Sequence, residues 1–236
     1  MSLKGKFLHT AASDLEAGFL APVLHAVNRN PRLTALRAGD TLMDLLFAID
    51  TRIHTIGEAI ALFGEGSARL DEQLRTDRRK VDQCIRRGGG YVFKDIRAYR
   101  CAVLAAGTFI TEARALFQNL ANFYGEFLLH YFGEDVGDMG QRFAALQTMC
   151  SDPEWIRDLR ERRHDLSHNR APGIDLLVEE DEPRKYEPCL TFNWRPGATE
   201  PEDIVPLSRL RGIRDGLDEL GTKIREHLIA RVGAVR

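Results

Sequence analysis

Apolar residues recur at intervals of seven between positions 91 and 132, and this repeat constrains the fold more than any other feature of the chain. A second apolar series follows the first by three positions. The two series are Ile96, Val103, Ile110, Phe117, Tyr124 and Tyr131, and Tyr99, Ala106, Ala113, Leu120 and Phe127. Both lie on one face of an α-helix, because a helix turns once in 3.6 residues. Unbroken from Tyr91 to Phe132, it would be about 60 Å long, so the sequence predicts one long central helix.

A second helical pattern precedes it. Apolar residues there alternate steps of four and three, which is the spacing of one helix face. They are Leu42, Leu46, Ile49, Ile53, Ile56, Ile60 and Phe63. The sequence GEGS at 64–67 predicts the end of this helix, with Ser67 capping a second helix over 68–87. Gly88 to Gly90 then predict a break in the chain.

Another helix is predicted to begin within "SDPEW", residues 151–155. Asp152 is a suitable cap, Pro153 fits the first helical position, and Glu154 adds an acidic side chain to the first turn. Pro172 and Gly173 predict its end. We call this element the motif helix, because it carries the residues discussed below.

Residues 174–196 predict a small β-hairpin. In "LTFNW", 190–194, Leu190, Phe192 and Trp194 alternate with polar residues, and Leu176 to Val178 supply the opposing strand. Pro206 then opens a last helix. Its inner face consists of Leu207, Leu210, Ile213, Leu217, Leu220, Ile224 and Leu228.

Together these patterns predict an all-α fold, a helical bundle with a long central helix and a small β-hairpin insertion. We divide the chain into an N-terminal helical region, residues 1–90, packed on the core, and a helical domain, residues 91–236, that includes the hairpin. A chain of 236 residues is long enough to bury a sizeable core.

Charge and cysteine content narrow the possible functions. The formal net charge is -2, which predicts no global attraction to nucleic acid, so any contact with a polyanion must be local. The four cysteines are scattered without a CxxC pair, which favours a reducing, cytoplasmic setting. No stretch approaches the ~20 apolar residues that span a bilayer, so we expect a cytoplasmic protein without membrane association.

The motif helix places a charged residue in its apolar stripe. Trp155, Ile156, Leu159 and Leu166 fall within one arc of about 100° when each residue turns the helix by 100°. Arg163 falls inside that arc. A guanidinium in such a position must be paired, lie at an interface or hold an anion. The geometry leaves open whether Arg163 forms a structural ion pair or binds a functional anion.

His164 and His168 are four residues apart, so they share a second face of the motif helix, one turn from each other. Two imidazoles placed in this way can contact the same substrate molecule. Two inert surface histidines are the alternative, and the neighbouring Arg163 counts against it.

Arg163, the polar His164, three more residues and His168 lie near the end of a helix in an all-helical chain. This arrangement resembles the Arg-x4-6-His motif of HEPN-domain proteins, in which a polar residue typically follows the arginine. The resemblance covers roughly residues 91–173 and the last helix. It implies a metal-independent endoribonuclease without a cofactor, commonly a homodimer in which two motif helices face each other. It also implies a toxin–antitoxin or defence setting.

The resemblance assigns roles to individual residues. His168 would be the general acid or base, and Arg163 would stabilise the charge that grows on phosphorus when a ribose 2′-hydroxyl attacks it. His164 would orient this pair or bind the substrate. Glu112 is our candidate for the polar residue that related proteins place on the long helix, although a plain ion pair with Arg163 or Arg114 explains it at least equally well. Further contacts to RNA would come from Arg160, Arg162, Asn169 and Arg170, with Arg157 adding to the local positive field.

Three other functions fit the same residues. "HDLSH", 164–168, has the two-histidine spacing of the HExxH metal hydrolases, but aspartate is shorter than the usual glutamate and no spacing supplies a third ligand. A non-catalytic HEPN-like dimer could serve as partner of an antitoxin, a nucleotidyltransferase or a defence complex. A purely structural bundle, in which the motif is coincidental, is the last alternative.

Overall fold

The computed structural model describes residues 18–36, 39–87, 90–157, 159, 173–178, 186–191 and 204–235. These residues form an all-α fold with a small antiparallel sheet, which confirms the predicted fold class. The helices are α1 Ala21–Arg29, α2 Pro31–Thr34, α3 Asp40–Thr76, α4 Arg78–Arg87, α5 Ile96–Phe132, α6 Met139–Gln147, α7 at 154–157 and 159, and α8 Leu207–Ala234. The strands are β1 Gly173–Val178, β2 Tyr186–Thr191 and β3 Ile204–Pro206.

The predicted long central helix is α5, which has 37 residues. It begins later than Tyr91, because the carboxylate of Asp95 accepts a hydrogen bond from the backbone N–H of Ala98 and so caps the helix. The chain before the cap is tied to α3, since Gln73 accepts from the backbone N–H groups of Lys94 and Asp95. Gly133 ends α5 at φ 68°, a left-handed conformation that glycine adopts without strain.

The predicted break at GEGS is wrong, because α3 continues through these residues. The whole helix is 37 residues long, from Asp40 to Thr76. A tertiary contact explains the glycine there. A Cβ on Gly66 would lie 3.0 Å from both the Cβ and the backbone N of Ala102 on α5, so glycine allows the two helices to approach closely. Ser67 does not cap a new helix, and its hydroxyl donates to the carbonyl of Gly64 at 3.2 Å.

α3 and α5 form the largest helix pair of the described structure, and they are antiparallel. Arg52 pairs with Glu112 towards one end, and Gln73 contacts the start of α5 at the other. α1 packs on α8, where the Asn30 side chain donates to the carbonyls of Val232 and Val235. Buried side chains from α1 to α8 form one continuous cluster, so residues on both sides of the boundary predicted at residue 90 share a core.

The sheet has three strands in the order β1-β2-β3, where the sequence predicted a two-stranded hairpin. Gly173 pairs with Thr191, and Cys189 pairs with Pro206 on the unpredicted third strand. β2 lies mostly before the predicted strand at 190–194, and Phe192 and Trp194 lie outside the described residues. The sheet joins the bundle at Tyr99, whose hydroxyl accepts from the backbone N–H of Ile174 at 3.0 Å.

Within the described ranges, no helix is both long enough and apolar enough to cross a lipid bilayer.

Candidate functional site

Most of the predicted site lies outside the described residues. This applies to Arg160, Arg162, Arg163, His164, His168, Asn169 and Arg170. The structure does describe the beginning of the motif helix, which is α7, together with its packing. It also describes Glu112, the candidate on the central helix.

The predicted start of the motif helix is confirmed. The Asp152 carboxylate accepts a hydrogen bond from the backbone N–H of Glu154 at 2.9 Å, and the backbone N–H of Ile156 donates to the carbonyl of Pro153. These contacts satisfy two of the N–H groups that a helix leaves without intrahelical partners at its start.

α7 begins with its apolar face buried. Trp155, Ile156 and Leu159 are 6%, 1% and 0% exposed. The ring of Trp155 meets that of Phe117 on α5 edge to face, with 5.7 Å between centroids. On its other side the indole lies so close to Gly216 of α8 that a Cβ there would come within 2.4 Å of Nε1. Up to residue 159, therefore, the apolar face of α7 is packed between α5 and α8. This is the face to which the sequence assigns Arg163.

The indole N–H of Trp155 is buried and has no hydrogen-bond partner among the described residues. Leaving such a donor unsatisfied costs about 1–3 kcal/mol. The packing of the ring against α5 and α8 offsets this cost. This packing requires glycine at position 216.

Three polar side chains hold the turn before α7 onto α8. Ser151 donates to the Glu219 carboxylate at 2.5 Å, and the ammonium group of Lys223 lies 2.9 Å from the Ser151 hydroxyl and 2.5 Å from Glu219. The hydrogen bond from Lys223, followed by that from Ser151, holds the pKa of Glu219 below its usual range. The Ser151 hydroxyl donates to Glu219 and not to Lys223, so Ser151 and Lys223 are not arranged as a nucleophile and its base, and the cluster is a structural link.

Cys150, next to this cluster, is not set up as a nucleophile either. Burial raises the pKa of its thiol to about 11, and the carboxylate of Glu219 acts in the same direction. The thiol therefore remains protonated at neutral pH, whereas thiol chemistry requires the thiolate.

The structure places Glu112 in an ion pair with Arg52 of α3, at 2.5 Å between carboxylate and guanidinium. The side chains are 24% and 32% exposed. Sequence reasoning named Arg163 and Arg114 as partners for this carboxylate and missed Arg52. The same rule that singled out Arg163 could have found it, because Arg52 lies among the apolar residues of α3 between Ile49 and Ile56.

Arg157 is the one member of the predicted positive field that the structure describes. Its side chain is 62% exposed and lies 4.0 Å from Glu154, which also lies 3.8 Å from Arg209 of α8. Exposed pairs at these distances contribute little to stability. The positive charge beside the start of α7 is therefore partly balanced by Glu154.

A cavity of about 410 Å³ opens among α3, α5, β2 and α8. Its apolar lining includes Phe63, Phe109 and Leu210. The charged residues of the lining are Asp71, Arg211, Arg214 and Asp215. No sequence pattern predicted it, because its walls come from four elements far apart in the chain.

Among the residues that the structure describes, no group of three or more histidine, cysteine or carboxylate side chains could hold a metal ion. The HDLSH segment of the metal-hydrolase alternative lies outside those residues.

No protein-family model matches the chain, and neither a curated protein nor a solved structure shows significant similarity to it.

Proposed function

We propose that the protein is a metal-independent endoribonuclease of HEPN type, acting on RNA in a toxin–antitoxin or defence setting. The observation that carries the proposal is the packing of the motif helix at its start. α7 is capped by Asp152 and begins between the central helix α5 and α8 with its apolar face inward. Helical periodicity carries this face from Ile156 and Leu159 to Arg163, four residues beyond Leu159.

The proposed chemistry needs a proton-transfer group with a pKa near neutrality and a fixed cation. His168 removes the proton of a ribose 2′-hydroxyl, whose oxygen attacks the adjacent phosphorus. The bond to the 5′-oxygen of the next nucleotide breaks, and that oxygen takes up a proton. The products are a 2′,3′-cyclic phosphate and a 5′-hydroxyl. Arg163 stabilises the negative charge of the phosphorane through its planar pair of N–H donors, and His164 orients the site.

Binding of RNA depends on local charge, because the net charge is only -2. Arg160, Arg162, Asn169 and Arg170 supply these contacts, and two copies of the chain bring two motif helices to a shared cleft. A cytoplasmic location is part of the proposal, and the four cysteines, all of them free thiols, are compatible with it.

The test is cleavage of total RNA in excess EDTA by the wild type, by His168→Ala and by Arg163→Lys. We expect metal-free cleavage that leaves 2′,3′-cyclic phosphate ends and that falls at least about a hundredfold in His168→Ala, the size typical of a lost general acid–base group. Arg163→Lys keeps the charge but not the planar fork, so it should lose most of the activity as well. His25→Ala is the matched control, because His25 is exposed on α1.

Loss of activity in EDTA with recovery on adding Zn²⁺ would favour the metal-hydrolase alternative. Absence of cleavage by a folded dimer, established by mass photometry, would favour the non-catalytic partner module. Equal cleavage by the wild type and His168→Ala would contradict the assigned role of His168.

A further inference from the structure

The cavity among α3, α5, β2 and α8 has the size and the mixed lining of a small-molecule site. Its volume of about 410 Å³ lies within the usual range for ligand pockets, about 300–1,000 Å³. Ala106 and Phe109 of α5, Phe63 of α3 and Leu210 of α8 provide apolar surface. Such a surface suits a flat, largely apolar body such as a nucleobase.

The α8 wall of the cavity carries two arginines, Arg211 and Arg214, and one aspartate, Asp215, so the described part of this wall has a net positive charge. Arg211 lines the cavity and has no acidic partner within the described part of the chain. Arg214, also in the lining, lies 3.7 Å from Asp218 and is thus only partly balanced. One free and one loosely paired guanidinium favour a small anion such as a monophosphate, because arginine binds phosphate oxygens through paired N–H donors.

The α3 wall carries a hydrogen-bond acceptor. Asp71 lines the cavity, and loss of hydration raises the pKa of its carboxyl, an effect that Arg75 opposes. A carboxylate that has lost hydration is stabilised by a ligand that donates hydrogen bonds to it. A fatty acid, or another anion whose body is purely hydrocarbon, offers no such donor. The lining therefore favours a ligand with a phosphate at one end and N–H donors at the other.

We propose that this cavity binds a nucleoside monophosphate, with the phosphate on Arg211 and Arg214, the base against the apolar surface, and an amino group of the base donating to Asp71. Carboxylates accept hydrogen bonds from the amino group of cytosine, and guanine presents two adjacent N–H donors on one edge. The proposal goes beyond the ribonuclease, because it assigns a ligand to residues of α3, α5, β2 and α8 and gives the Arg163–His168 motif no role in binding it. It identifies a second site, for a free nucleotide.

Isothermal titration calorimetry on the full-length protein tests the proposal, with CMP and UMP as a matched ligand pair. These nucleotides share ribose, phosphate and ring size, but an amino group in CMP replaces a carbonyl in UMP, whose base keeps only its ring N3–H as a donor. We expect CMP and GMP to bind at least about tenfold more tightly than UMP, a difference of about 1.4 kcal/mol. Inorganic phosphate and cytidine, each lacking one part of the ligand, should bind more weakly than CMP.

Two exposed-residue variants separate the contacts. Arg211→Gln should weaken all three nucleotides about tenfold or more, while Asp71→Asn should abolish the preference for CMP over UMP. Arg79→Gln on α4 and Asp44→Asn on α3 are controls, because these residues are exposed and lie outside the cavity lining. Circular dichroism and a thermal melt would verify that each variant is folded.

Three results would overturn the proposal: no saturable binding at ligand concentrations of about 1 mM, equal affinity for phosphate and CMP, or nucleotide binding that neither cavity variant changes. Binding that depends on Arg211 and Asp71 in a protein that does not cleave RNA would support the site and contradict the proposed function. The two proposals can therefore fail separately.

Discussion

Gly216→Ala tests how the motif helix is attached to the bundle. An added Cβ would lie 2.4 Å from Nε1, 2.5 Å from Cδ1 and 2.6 Å from Cε2 of Trp155. Real Cβ atoms essentially never come this close to other heavy atoms, so the indole must move. Since the ring is wedged between α8 and Phe117 of α5, it cannot turn away without disturbing the packing at the start of α7.

The magnitude follows from two opposing effects. Replacing a helical glycine by alanine gains about 1 kcal/mol in helix propensity. Overpacking a filled site costs about 1–3 kcal/mol. Gly212→Ala separates the two effects, because Gly212 lies one turn earlier on α8 and nothing would lie within 4 Å of its new Cβ. We expect Gly212→Ala to be stabilising and Gly216→Ala to be less stable than it by about 1–3 kcal/mol.

Urea unfolding followed by circular dichroism would measure this difference, with thermal melts as a second assay. For a chain of this length, 1 kcal/mol corresponds to about 2–4 °C in Tm. Equal stabilisation by the two alanines would refute the packing of Trp155 against α8. If Gly216→Ala lowered stability without affecting RNA cleavage, the start of α7 would not be what positions the catalytic residues.

Further predictions concern the pair formed by α3 and α5 and the half-buried thiol of Cys150. Gly66→Ala should destabilise the protein by about 1–3 kcal/mol in urea unfolding, because it forces α3 and α5 apart, whereas Gly64→Ala, with open space around it, should stabilise it by about 1 kcal/mol. A double-mutant cycle with Arg52→Met and Glu112→Gln should give a coupling energy of about 1 kcal/mol, and a value near zero would show that solvent screens the pair. Cys150 should be alkylated by iodoacetamide slowly at pH 8, as measured by mass spectrometry. Burial raises the pKa of the Cys150 thiol from 9.0 to about 11. Cys150 should therefore also contribute to a loss of stability as pH rises from 9 towards 11, and a Cys150→Ala variant should lack this contribution.

The long helices were predictable where burial follows a regular period. α5 is buried on one side from Ala98 to Tyr131, and its repeat of seven shows this, although the first member of the repeat, Ile96, is exposed. The start of α7 was predictable for a local reason, since Asp152 and Pro153 act on their immediate neighbours. The break at GEGS was predicted wrongly because Gly66 owes its presence to Ala102 on another helix, a contact that local sequence does not express.

The remaining features depend on residues brought together from distant parts of the chain. β3 has only three residues, too few for a periodic signal, and its last residue, Pro206, is also the N-cap of α8, which is the role that the sequence indicated. A proline is tolerated on an edge strand such as β3. The partner of Glu112 lies 60 residues earlier, on α3. Residue types in the motif suggested a chemistry for Arg163 and His168, whereas the cavity beside Arg211 required the assembled fold.

The contact between α1 and α8 has a consequence for synthesis. Asn30 donates to carbonyl groups 202 and 205 residues further along the chain, so α1 meets α8 only after those residues have been made. At typical translation rates of about 5–20 residues per second, the apolar face of α1 waits roughly 10–40 s on the ribosome. During that interval Val23 and Val27, both fully packed in the finished protein, are exposed to chaperones. A nascent chain therefore cannot form this contact, nor acquire an activity that depends on it, before α8 has been synthesised.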